Sequence, residues 1–146
     1  MKQLWFTLAL VLIGSVAFTQ SQKTFVKSFN LEGNHAVVLN LDGKVEVKEW
    51  SDKLVRVLTN IEVENSTDAT LKALIAAGRY KLVSSKEGGA LMLTSTSRAK
   101  EVKLRGQVLV EHVTYTVYVP SNVNVEVTSN GAQTSLEFKE KTSSLK

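Results

Sequence analysis

The sequence predicts a mostly-β domain, either an antiparallel sandwich or a stack of β-repeats, with one short helix near residues 68–77. Three observations predict it. Apolar and polar residues alternate with period two along much of the chain, as they do when successive strand side chains point to opposite faces. Turn dipeptides such as Asp42-Gly43, Gly88-Gly89 and Asn130-Gly131 punctuate these runs, in the rhythm of an all-β fold. Helical periodicity is confined to one segment, so the crossover helices of a doubly wound parallel sheet are missing.

The chain opens with what reads as an address. Met1-Lys2-Gln3 is a short basic start, Leu4 to Ile13 is an apolar run, and Gly14-Ser15 breaks it. Ser15-Val16-Ala17 and Ala17-Phe18-Thr19 both offer small residues in the spacing a signal peptidase reads. Residues 1–20 therefore have the three-part form of a secretory signal peptide. The apolar run is half the length of about 20 residues needed to span a bilayer as a helix. The expectation is an exported protein, periplasmic or at the cell surface, with no stable membrane span after processing. Residues 21–146 would form a single β-rich domain with a frayed lysine- and serine-rich tail. Cysteine is absent from all 146 residues, which excludes disulfides, thiolate catalysis and cysteine-ligated metal. Hydrophobic residues at 43% and charged residues at 22% suit a folded domain rather than a disordered one.

The elements follow in order. Val37, Leu39 and Leu41 share a face, and Asp42-Gly43 reads as a hairpin turn leading to Val45 and Val47, with Trp50 closing the run. Val55, Val57, Thr59, Ile61 and Val63 form the dry face of a long strand whose wet face carries Arg56, Leu58, Asn60, Glu62 and Glu64. Asn65-Ser66-Thr67-Asp68 offers N-cap residues, Leu71, Leu74 and Ile75 make a helical stripe, and Gly78 ends the helix. Strands are expected over Tyr80–Ser84 and Ala90–Ser95, joined by a turn at Lys86–Gly89. A charged stretch around Val102 and Leu104 precedes Gly106. The long strand Gln107–Val119 then places Leu109, Glu111, Val113, Tyr115, Val117 and Val119 on one face. With valine and tyrosine on its other face too, it reads as a central strand covered on both sides. If it were instead an edge, it could recruit a partner strand. Pro120 ends it or marks an edge. Val123, Val125 and Val127 alternate before Asn130-Gly131, and Thr134–Phe138 adds one more strand. Seven to nine strands and one helix result.

Two stretches carry a family resemblance. Val37 through Trp50 contains a glycine followed by Val45-Glu46-Val47, and Tyr115 through Val127 contains Tyr-x-Val-x-Val-Pro followed by alternating valines. Together they resemble exported bacterial β-repeat domains of unknown function, the adhesin-like group. The resemblance covers about Phe25 to Gly131. It implies a stack of short strands and an adhesion or interaction role, and it carries no catalytic residues over. Such domains continue with further glycine–valine repeats, whereas fifteen residues follow Gly131 here, so the resemblance implies a short or truncated form.

The residues show no catalytic constellation. His35 and His112 stand far apart without metal-ligand spacing, and no Gly-x-Ser-x-Gly elbow accompanies any serine. Gly88-Gly89 lacks the Gly-Lys-Ser/Thr ending of a phosphate loop. No cofactor and no metal are expected. The net charge of +4 gathers partly in Arg98, Lys100, Lys103 and Arg105, a candidate patch for anionic partners. Aromatic residues do not interleave with these cations, which argues against nucleic acid. Trp50, Tyr115 and Tyr118, with Tyr80, are candidate stacking platforms for a glycan. The sequence therefore predicts a non-enzymatic domain with a structural or adhesion role at the cell envelope, or alternatively a small-ligand or glycan-binding module using exposed aromatics. The partner would be an envelope protein or a glycan.

Overall fold

Alternation in sequence becomes alternation of burial. In β4 (Leu54–Glu64), Val55, Val57, Thr59, Ile61 and Val63 are all enclosed, while Arg56, Leu58, Asn60 and Glu62 keep partial contact with solvent. The computed structural model describes residues 20–96 and 98–128, and the backbone of 134–137. The expected leader up to Thr19 and the expected C-terminal tail lie outside the described residues.

The remaining strands are β1 (Ser21–Asn30), β2 (Ala36–Asn40), β3 (Lys44–Trp50), β5 (Leu82–Glu87), β6 (Ala90–Ser95), β7 (Lys103–Leu104), β8 (Gln107–Val108), β9 (Val110–Pro120), β10 (Asn124–Val127) and β11 (Thr134–Glu137). The helix is α1 (Asp68–Ala76). One sheet has the order β1-β4-β9-β3-β11 and the other β10-β2-β6-β5, while β7 and β8 form a separate two-stranded pair. Their facing sides close on one core containing Leu39, Leu41, Val45, Val57, Ile61, Leu93, Val117 and Val119, each at most 1% exposed. Each such aliphatic side chain contributes about 1.5–3 kcal/mol by leaving water, and that burial stands in for the missing disulfides.

The mostly-β class and the short helix are as the sequence indicates, and the connectivity joins both architectures left open there. Four of the eight pairings among the described residues are parallel, so a purely antiparallel sandwich does not describe the molecule. The parallel pairs arise because the chain crosses repeatedly from one sheet to the other. β2 leads to β3, β6 to β9, and β10 to β11, each time from the four-stranded to the five-stranded sheet. The three units stack in register: Val125 beside Val37 beside Leu91 in one sheet, Val45 beside Tyr115 in the other. β1, β4 and β5 then wrap one flank antiparallel. The molecule is a sandwich built from stacked corners.

Asp42-Gly43 is accordingly not a hairpin turn. It is the corner through which β2 leaves one sheet and β3 enters the other. A Cβ at Gly43 would lie 2.5 Å from the Val113 carbonyl oxygen of β9, so close backbone approach explains the glycine. The turn at Ser51–Lys53 also joins strands that do not pair, because β9 lies between β3 and β4.

Other boundaries shift for local reasons. Tyr80 sits in the turn after α1, and β5 begins at Leu82 and runs to Glu87, which narrows the following turn to Gly88-Gly89. The expected strand Gln107–Val119 is broken at Leu109, whose N–H bonds the Val102 carbonyl at 2.8 Å, and its first two residues fold back as β8. β9 is central, between β4 and β3, yet covered on one side only. Thr114, Thr116 and Tyr118 are partly exposed because, among the described residues, no layer packs on the outside of this sheet. In α1, the Thr67 hydroxyl accepts from the Thr70 N–H at 3.2 Å, Leu71 is buried, and Gly78 takes a φ of +78° just beyond the end.

Candidate functional site

β9 runs from Val110 to Pro120, about 33 Å at strand rise, and each of its ends has a distinctive surface. At the Pro120 end, Trp50 lies beside Pro120 in the register of β3 and β9. The indole Nε1–H donates to the Leu54 carbonyl at 2.9 Å, which fixes the ring. Tyr118 packs against it with ring centroids 5.5 Å apart and planes at 41°. Arg56, directly across from Tyr118 on β4, places its guanidinium 4.5 Å from the indole centroid. Arg56 makes no ion pair among the described residues, and its buried Nε has no hydrogen-bond partner there.

Trp50 also forms one wall of a groove of about 500 Å³ between three loops. Its polar lining includes Asn34 and His35 from the β1–β2 loop, Ser51 and Asp52 after β3, and Ser121 and Asn122 after β9. Asn34 is partly committed, since its Nδ2 donates to the Leu31 carbonyl at 2.7 Å. The side chains of His35, Ser51, Ser121 and Asn122 make no hydrogen bond among the described residues. An immobilised aromatic ring beside uncommitted amide, hydroxyl and imidazole groups can stack an apolar face and hydrogen-bond a hydroxylated edge.

The Val110 end is organised differently. A groove of about 590 Å³ is lined by Arg79, Arg98, Glu111, Asp42, Glu101 and Ser95, and four of its charged groups pair with one another. Arg79 donates through Nε to Glu111 Oε1 at 2.8 Å and through Nη2 to Oε2 at 2.5 Å, and the Tyr80 hydroxyl donates to the same carboxylate. Burial pushes the Glu111 carboxyl up. The hydrogen bonds from Arg79 and Tyr80, with the Arg79 charge, outweigh that and hold it below the usual carboxylate range. Burial, with the Glu111 hydrogen bond, raises the Tyr80 phenol. Arg98 donates through Nη2 to the Asp42 carbonyl, its backbone N–H donates to Asp42 Oδ2 at 2.8 Å, and its Nε lies 3.4 Å from that oxygen. These contacts tie the segment after β6 to the corner before Gly43.

The expected site residues thus separate into groups. Trp50 and Tyr118 come together, and Arg56, which sequence reasoning left on the wet face of β4, joins them. Tyr115 does not join them: it is 1% exposed, a core residue whose phenol is raised by burial, and it offers no stacking face. Tyr80 is likewise buried, at 8% exposure, and tied to Glu111. Of the basic cluster, Arg98 turns inward to Asp42, while Lys100, Lys103 and Arg105 are exposed. His112 pairs with Glu64 at 2.8 Å. Among the described residues no three histidine or carboxylate groups gather as a metal site, and no helix is long and apolar enough to cross a membrane.

No family model matches the chain, and no curated protein matches it. Among solved structures, a putative cell adhesion protein from Clostridium sporogenes is similar at 10% identity and a TM-score of 0.45, over 75% of this chain and 47% of its own. A putative adhesin from Bacteroides fragilis is similar at 11% identity and a TM-score of 0.39, over 82% of this chain and 45% of its own. The chain spans about half the length of each. At such TM-scores these likenesses carry no argument about role.

Proposed function

We propose that this protein is a non-enzymatic adhesion module of the cell envelope, and that it recognises a glycan through the Trp50 end of the sandwich. The observation that carries the reading is the pinned indole on the wall of the polar groove. A saccharide has apolar C–H faces and hydroxylated edges. The ring answers the first, and the groups of His35, Ser51, Ser121 and Asn122 answer the second. Because Trp50 is held by its bond to Leu54, little side-chain freedom is lost on binding. The self-paired groups of the opposite groove support a non-enzymatic reading, since Glu111 is already committed to Arg79 and Tyr80. The signal-like form of residues 1–20 supports an envelope location.

A glycan array of bacterial and host surface oligosaccharides tests this. The expected result is selective binding by the parent protein and at least about a tenfold loss in Trp50→Ala, with an unchanged circular dichroism spectrum. No binding to any oligosaccharide, or full retention by Trp50→Ala, would overturn it.

A further inference from the structure

We infer that the β7–β8 hairpin is a docking element for an anionic lipid surface. Among the described residues five large hydrophobic residues are well exposed, and three of them crowd into seven positions: Leu104 at 36%, Val108 at 47% and Val110 at 43%. Exposed Lys100, Lys103 and Arg105 lie in the same stretch, and none of them forms an ion pair among the described residues. Glu101 is the sole acid between Arg98 and Val110. The register puts Val108 beside Lys103 on one face of the ribbon and Leu104 beside Gln107 on the other, with Arg105 at the turn, so a hairpin entering tip-first brings apolar groups to the acyl boundary and cations to anionic headgroups. A soluble polyanion would use the cations and leave the apolar groups unexplained, so the observations favour lipid.

The hairpin is built to reach outward. Among the described residues its two strands pair only with each other, outside both main sheets. Its base is held by the Leu109–Val102 hydrogen bond, by buried Leu109 and by Val102 packed on the core. At its tip, Arg105 and Gly106 take φ of +50° and +81°. That is the shape of a tight two-residue hairpin turn, which asparagine, aspartate and glycine adopt at low cost. An arginine there is locally unfavourable, and its effect is to set a cation at the outermost point. The element stands at the far end of β9 from Trp50, so lipid docking would leave the Trp50 groove facing away from the membrane.

Co-sedimentation with vesicles tests this, using protein in the form its host accumulates. Phosphatidylglycerol–phosphatidylcholine vesicles should bind it, pure phosphatidylcholine should not, and high salt should release it. The triple variant Lys100→Gln/Lys103→Gln/Arg105→Gln should lose about 100-fold in affinity. Leu104→Ser/Val108→Ser should lose about tenfold. Arg105→Asn should weaken binding while the folded hairpin is kept or strengthened, which separates a lost contact from a lost fold. Equal binding to both vesicle types, full binding by the triple variant, or indifference to Leu104→Ser/Val108→Ser would overturn the proposal. The last of these would leave a polyanion site instead. Each readout is independent of glycan binding, since Trp50→Ala should bind vesicles as the parent does.

Discussion

Two arginines in this protein have opposite circumstances. Arg79, at the Val110 end, spends its guanidinium on both oxygens of Glu111, and the two side chains are only 12% and 7% exposed. Arg56, at the Pro120 end, has no carboxylate among the described residues and rests on Trp50 instead. A cation that enters a nearly dry interior needs an anion to offset desolvation. A cation on the outer face of a sheet is only partly desolvated and can rest on an aromatic ring without an anion. The same residue type thus ties two segments together through a carboxylate at one end and rests on an aromatic ring at the other.

The largest effect should come from Arg79. Arg79→Met leaves the Glu111 carboxylate nearly buried without its charge partner, and urea denaturation should show a loss of about 3 kcal/mol. Arg56→Met removes only a stacking contact and should cost under about 1 kcal/mol in the same assay. Equal costs for the two would erase the comparison.

Steric crowding at the corner comes next. Gly43→Ala places a methyl against the Val113 carbonyl, so the corner or β9 must shift, at a cost of about 1–3 kcal/mol. A smaller effect, about 1 kcal/mol, should follow Thr67→Ala, which removes the hydroxyl that accepts from Thr70. Thermal unfolding monitored by circular dichroism measures both.

The pH dependence sharpens the contrast further. The folded state holds Glu111 below the usual carboxylate range, so it binds that proton less readily than the unfolded chain does. The resulting stabilisation is complete above the unfolded value and is lost as pH falls through the folded one. Urea midpoints of the parent should therefore drop in acid. Glu111→Gln should begin less stable near neutrality and show a shallower acid decline, whereas Arg56→Met should follow the slope of the parent.

Much of the fold was legible along the chain. The buried faces of β2, β3, β4 and β9 are the faces that valine alternation selects, because a strand's geometry converts every second residue into an inward one. Thr67 and Gly78 frame the helix as capping chemistry requires. The site was half legible. Trp50 and Tyr118 were recognisable as aromatic residues, but Tyr115, three positions before Tyr118, shows how an odd offset along a strand decides between core and surface. Arg56 gave no local signal. Its partner Tyr118 lies on a strand that follows it by some sixty positions, and only the insertion of β9 between β3 and β4 brings the trio together. The cations of residues 98–105 looked like one patch, yet Arg98 points inward because Asp42 waits at the corner.

What the sequence determined by itself is the pattern of inside and outside, since hydrophobic burial is a property each short segment carries with it. Pairing was decided only in three dimensions. A dipeptide such as Asp42-Gly43 has the same backbone freedom in a hairpin as in a corner between sheets. Which one forms depends on the competing edges the rest of the chain presents. Here the stacked edges of β2, β6, β9 and β3 prevail, because a corner lets one chain satisfy backbone hydrogen bonds in two sheets while closing both over a single core.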